Sequence, residues 1–146
     1  YSDSKARAMF RRGYSLNKIS YSLKGKGLDE KYIKLSLEKI KNSRLRKCLQ
    51  AYKNRAQMWA ISDRNILPLY VISVIKSLPY DNPTLIIEFI DDIISLLPKH
   101  RSFDEGYNMV NLLNSMIRVL PNESEYNYLK DRIKAKKQDI LNDILK

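Results

Sequence analysis

The stretch Ser15-Leu16-Asn17-Lys18-Ile19-Ser20-Tyr21-Ser22-Leu23-Lys24-Gly25-Lys26-Gly27-Leu28-Asp29 carries a complete helix together with its start and stop signals. Ser15 is a good N-cap, because its hydroxyl can accept from an otherwise unpaired amide of the first turn. Leu16, Ile19 and Leu23 then recur at helical spacing. Gly25 and Gly27 stop the segment, and Asp29 caps the next. The same grammar extends in both directions. Upstream, Ser2 or Asp3 caps a helix running to Arg12, which Gly13 ends by admitting a left-handed backbone. Downstream, Tyr32, Ile33, Leu37 and Ile40 form a stripe that Asn42 and Ser43 interrupt. Residues 3–41 therefore read as three short helices joined by tight, glycine-marked turns.

Residues 44–60 read as a separate basic helix, with Leu45, Cys48, Leu49, Tyr52, Ala56 and Trp59 at helical spacing. Beyond Asp63 the texture becomes more apolar. Three segments close alike: Val74 to Pro79, Ile93 to Pro98 and Met116 to Pro121. Each proline biases the residue before it out of the helical region, so each marks a helix end. Spacings of 19 and 23 residues suit one helix plus a loop. They fit either a weak repeat of single helices or chance, since apolar helices often end near proline. Asn82-Pro83 opens the middle helix. Ser124 to Leu145 is a further amphipathic helix, with Lys130, Arg132, Lys134, Lys136 and Lys137 at its middle. No alternating stretch persists long enough for a strand. The expected fold is all-α: a short three-helix element over residues 1–43, then longer packed helices over residues 44–146, as a repeat or a bundle.

Composition bounds the rest. The chain has 146 residues, 44% hydrophobic and 29% charged, which suits a globular chain with a real core. No apolar run approaches the roughly 20 residues needed to span a bilayer. The single cysteine, Cys48, excludes an intrachain disulfide and fits a reducing, cytoplasmic setting. The first residues carry no signal-peptide pattern, and a start at Tyr1 rather than Met is expected of a fragment.

Charge is unevenly placed. Residues 1–60 hold 16 Lys and Arg against 4 Asp and Glu, whereas residues 61–146 hold 11 against 12. The net charge of +11 therefore belongs to the first two-fifths of the chain. Like charge confined to one module repels itself, and a polyanionic partner relieves that cost while releasing counterions. Lys5, Arg7, Arg11, Arg12, Lys18, Lys24, Lys26, Lys31 and Lys34 fall on the three helices and their turns. Tyr1, Phe10, Tyr14, Tyr21 and Tyr32 are interleaved with them, as in surfaces that pair cations with phosphates and rings with unpaired bases. The competing reading makes the rings core and the cations a solvated surface.

Catalytic signals are weak. One His and one Cys occur, with no HExxH, CxxC, P-loop or GxGxxG pattern. Gly25-Lys26-Gly27 is too short to cradle a phosphate alone and reads as a helix stop. Glu88, Asp91 and Asp92 share a helix face near His100. They could hold a divalent cation, but a solvated acidic face is the commoner explanation. Cys48, on an apolar stripe, reads as core rather than nucleophile. No cofactor is expected.

The residue order in the first third resembles one repeat of the bacterial RecX family. The features that carry the likeness are an Ala- and Arg-rich helix from Lys5 ending at Arg12-Gly13, and a Ser15-capped helix with Ile19 and Leu23. Lys26-Gly27-Leu28-Asp29 follows, and then a third helix. The resemblance covers about 40 residues and stops after about Ser43. It implies tandem three-helix repeats, in which Tyr1 begins an inner repeat. It also implies a non-enzymatic protein that docks on a RecA-type recombinase filament or single-stranded DNA and modulates recombination. The residues expected to bind are Arg7, Arg11, Arg12, Lys18, Lys24, Lys26 and Lys31. The alternative is an all-helical scaffold that receives an unidentified protein partner between the Leu-Pro-ended helices, with no nucleic-acid role.

Overall fold

The computed structural model describes residues 2–146. All regular structure among them is helical, in seven α-helices and one short 3-10 turn: α1 (Ser2–Arg11), α2 (Leu16–Gly25), α3 (Glu30–Ser62), α4 (Leu67–Lys76), α5 (Pro83–Leu96), α6 (Phe103–Val119), the 3-10 turn Ser124–Tyr126, and α7 (Asn127–Ile144). The chain divides into two compact units, Tyr1–Leu49 and Gln50–Lys146. Among the described residues, no helix is long and apolar enough to cross a membrane.

One expectation is corrected. Asn42 and Ser43 end nothing, and residues 44–60 are no separate helix, because α3 runs unbroken for 33 residues. Asn and Ser are indifferent helix formers rather than breakers, costing a few tenths of a kcal/mol each relative to the best residues. The sequence looked broken there because the buried positions change step. Ile33 to Ile40 and Leu49 to Ala56 are seven-residue spacings, close to two turns, whereas Ile40 to Leu49 is nine, two and a half turns.

In the first unit, α1, α2 and the start of α3 close over Ala6, Met9, Ile19, Leu23, Ile33 and Ile40, with Phe10, Tyr14, Leu16, Leu28 and Leu37 packed at the edge. Burying each of the larger aliphatic side chains is worth about 1.5–3 kcal/mol, which is what holds so small a charged unit together. The turns are as the sequence reads. Ser15 Oγ accepts from Lys18 N at 3.2 Å, and Asp29 Oδ1 accepts from Lys31 N at 3.1 Å. Gly13 and Gly27 take φ of +91° and +77°, values that a Cβ would strain.

Ser2 and Asp3 do something other than cap. Ser36, 2% exposed, donates to Asp3 Oδ1 at 2.6 Å. That uses its only proton, so Ser2 must donate to Ser36 Oγ at 2.6 Å. Lys39 Nζ meets Asp3 Oδ2 at 2.5 Å. The start of α1 is thus pinned to α3. The hydrogen bond from Lys39 first, then that from Ser36, holds the Asp3 carboxyl below its ordinary value.

In the second unit, α6 packs on α4 and α7, and α5 packs on α7 and the 3-10 turn. Two of the three Leu-Pro endings, those of α5 and α6, share one geometry. Helices α4, α5 and α6 stop two or three residues short of Pro79, Pro98 and Pro121. Leu97 and Leu120 are extended, with ψ of 126° and 142°, as a following proline favours. Leu78, Leu97 and Leu120 are all buried. Tyr126, 1% exposed, donates its phenol to the Tyr80 carbonyl at 2.8 Å.

A basic groove as candidate functional site

Helices α1 and α3 leave between them a groove of about 550 Å³. Its apolar floor includes Phe10 and Ile40. Arg7 and Arg11 come from α1, and Lys39, Arg44 and Lys47 from α3. Residues 39, 40, 43, 44, 47 and 48 follow helical spacing, so an unbroken α3 presents them as one stripe. Among the described residues, no carboxylate lines the groove. Lys39 is engaged by Asp3. Arg7, Arg11, Arg44 and Lys47 form no ion pair among the described residues. Arg11 Nε donates weakly to the Arg7 carbonyl at 3.4 Å, and the Arg44 guanidinium lies 6.0 Å from the Phe10 ring centre.

A second cationic grouping involves the end of α2. The Lys5 ammonium is held below its ordinary value first by the like-charged Lys26 ammonium beside it, then by lost hydration and by the charge of Arg12. Lys26 and Arg12 thus both act on Lys5, with no carboxylate among the forces on it.

The seven residues expected from sequence are all exposed, but they do not form a single patch. Arg7 and Arg11 line the groove, and Arg12 and Lys26 gather with Lys5. Lys18 sits 4.7 Å over the Tyr14 ring. Lys24 is paired with Glu30 at 3.4 Å. Lys31, in the first turn of α3, is part of neither grouping. Of the interleaved aromatics, Tyr21 and Tyr32 are exposed, Phe10 and Tyr14 lean on the core, and Tyr1 lies outside the described residues.

Sequence reading missed Lys39, Arg44 and Lys47. Their spacing was visible, but the supposed break at Asn42 and Ser43 divided them between two elements. Cys48 corrects another expectation: it is exposed at the groove rather than in the core. The nine-residue step puts Leu49, not Cys48, inside.

Two acids of the α5 cluster, Asp91 and Asp92, are committed to cations. Asp91 bonds Arg132 and accepts from Tyr128 at 3.1 Å, while Asp92 pairs with Lys53 at 3.0 Å. His100 Nε2 meets Asp143 Oδ2 at 3.0 Å. Among the described residues, no group of three or more His, Cys, Asp or Glu could hold a metal ion. No family model, curated protein or solved structure matches the chain.

Proposed function

We propose that the Tyr1–Leu49 unit is a non-enzymatic nucleic-acid-binding module that takes a sugar-phosphate backbone along the groove between α1 and α3. The observation that carries this reading is the groove itself. Among the described residues it is lined by five cations, of which Lys39 alone is paired with a carboxylate, in a unit holding 14 Lys and Arg against 4 Asp and Glu. Lys5, Arg12 and Lys26 extend the attraction, since an anion beside them would lift a repulsion that the free protein bears. The resemblance to RecX repeats favours a strand held in a RecA-type recombinase filament as the setting, with modulation of recombination as the consequence.

A gel shift of the whole chain tests this with short single- and double-stranded DNA, alone and as recombinase filaments. Binding is expected to weaken linearly in log affinity against log salt. Reversing Arg11 and Lys47 to Glu should abolish it with helicity intact. Failure to bind any of these at low salt sinks the proposal.

A second reading has its own observation. In the Gln50–Lys146 unit, an apolar recess of about 350 Å³ lies along α4 and α6, between Leu67, Leu69, Ile72, Met109 and Leu112. Leu69 is 70% exposed. A partner helix laid there would make the chain an interaction scaffold. Partner capture that survives the Arg11 and Lys47 reversals but is lost in Leu69→Asp would favour it.

A further inference from the structure

The basic groove continues past Phe10 into a recess of different chemistry. This second hollow, about 570 Å³, is bounded by Phe10, Tyr14, Leu16, Asn17 and Arg44. Phe10 and Arg44 belong to both hollows. Among the described residues, the groove is lined by five cations, whereas the recess has Arg44 as its one charged lining residue, with two aromatic rings and an amide. Phosphate suits the first and a nucleobase suits the second. A base offers flat apolar faces to rings and hydrogen-bonding edges to an amide.

The recess is also built before any ligand arrives. Gly13, at φ +91°, turns the chain so that Tyr14 N donates back to the Met9 carbonyl at 3.2 Å. The Tyr14 ring packs on the core and carries the Lys18 ammonium 4.7 Å from its centre, an exposed contact that an incoming base would displace. The Ser15 hydroxyl is occupied in capping α2, which leaves the Asn17 amide, exposed in the first turn, to meet the edge of a base.

We infer that this recess binds one unpaired base of a nucleic-acid single strand whose phosphates lie in the adjoining groove. The inference rests on the nucleic-acid reading above and adds a site to it. A paired base has its faces covered by stacking and its edge by its partner, so a duplex engages the groove alone.

Fluorescence anisotropy of the whole chain separates the two layers. The probes are a 12-nucleotide oligothymidine, an abasic strand of equal length, a 12-base-pair duplex and oligouridine. Oligothymidine should bind about tenfold tighter than the abasic strand, the scale of one base on an aromatic ring. Oligouridine should keep that advantage over the abasic strand, and the tighter of the two sugars identifies the strand. Tyr14→Leu and Asn17→Ala should each shrink the advantage while leaving abasic binding in place, and Tyr14→Phe should keep it. Arg11→Glu should weaken every probe.

Photo-crosslinking of wild-type protein to a 5-iodouracil strand needs no variant and should map to the Phe10–Tyr14 peptide. Mapping instead to the exposed Tyr21 or Tyr32, or equal affinity for based and abasic strands, overturns the base site while the groove reading stands. Failure of all four probes to bind overturns both.

Discussion

The guanidinium of Arg44 stands 6.0 Å from the centre of the Phe10 ring, and the pair forms the wall common to the cationic groove and the aromatic recess. On the nucleic-acid reading proposed above, one side chain would serve a phosphate while supplying a planar cation to a ring contact, roles that lysine divides poorly. Arg44→Ala should make the salt slope of nucleic-acid binding shallower by about one. Its effect on stability should be small, because an exposed contact of this kind is worth about 0.5–1 kcal/mol. Titrating affinity against salt and melting the free protein in parallel checks both halves.

Leu23 is fully buried, and its carbonyl accepts from Lys26 N and Leu28 N at the end of α2. Leu23→Ala should cost about 2–5 kcal/mol, as a truncation that leaves a cavity in a packed core. A lower urea midpoint by circular dichroism would show it, together with loss of amide protection in α1 and α2. An unchanged midpoint would mean that this core is not what holds the unit.

Gly106 lies in α6 where a Cβ would come within 2.9 Å of Ile144 Cγ2 and 3.2 Å of the His100 ring. Alanine normally stabilises a helix interior relative to glycine by about 1 kcal/mol. Here overpacking should outweigh that gain, and Gly106→Ala should destabilise by about 1–2 kcal/mol. Adding Ile144→Ala should recover part of the loss, a non-additivity that thermal melts of the single and double variants would reveal.

Burial, with a smaller contribution from neighbouring Tyr126, pushes the Tyr80 phenol up to about 12, and that phenol donates to the Ile75 carbonyl at 2.6 Å. An unfolded chain loses this proton near the ordinary value of 10. Between the two values the unfolded state binds fewer protons, so stability falls as pH rises. The contribution is whole below pH 10 and gone above about 12. Tyrosinate absorbance should therefore show a late phase that coincides with loss of helicity. Tyr80→Phe should remove this chromophore's share of the phase. A Tyr80 signal rising near pH 10 in folded protein would contradict the burial argument.

Much of this was legible in the residues. Caps and stops at Ser15, Asp29, Gly13, Gly27 and the Leu-Pro pairs mark local backbone choices, which act over a few positions and read directly from sequence. The continuity of α3 was not legible, because helix continuity through Asn42 and Ser43 depends on what Ile40 and Leu49 bury rather than on propensity. The site shared that fate. The surplus of cations near the N-terminus was plain, as were Arg7 and Arg11. Their companions Lys39, Arg44 and Lys47 became visible only once α3 fixed one register. The division of Lys18 and Lys24 away from the groove goes with a ring contact and a carboxylate contact that spacing does not encode.

The Tyr1–Leu49 unit carries 14 Lys and Arg against 4 Asp and Glu, a like-charge repulsion within the free chain that a bound polyanion would relieve. Added sodium chloride should consequently move two observables in opposite directions. By screening that crowding of like charge, it should raise the melting temperature of the protein alone. By competing with phosphates, it should loosen the protein's hold on a polyanion over the same concentration range.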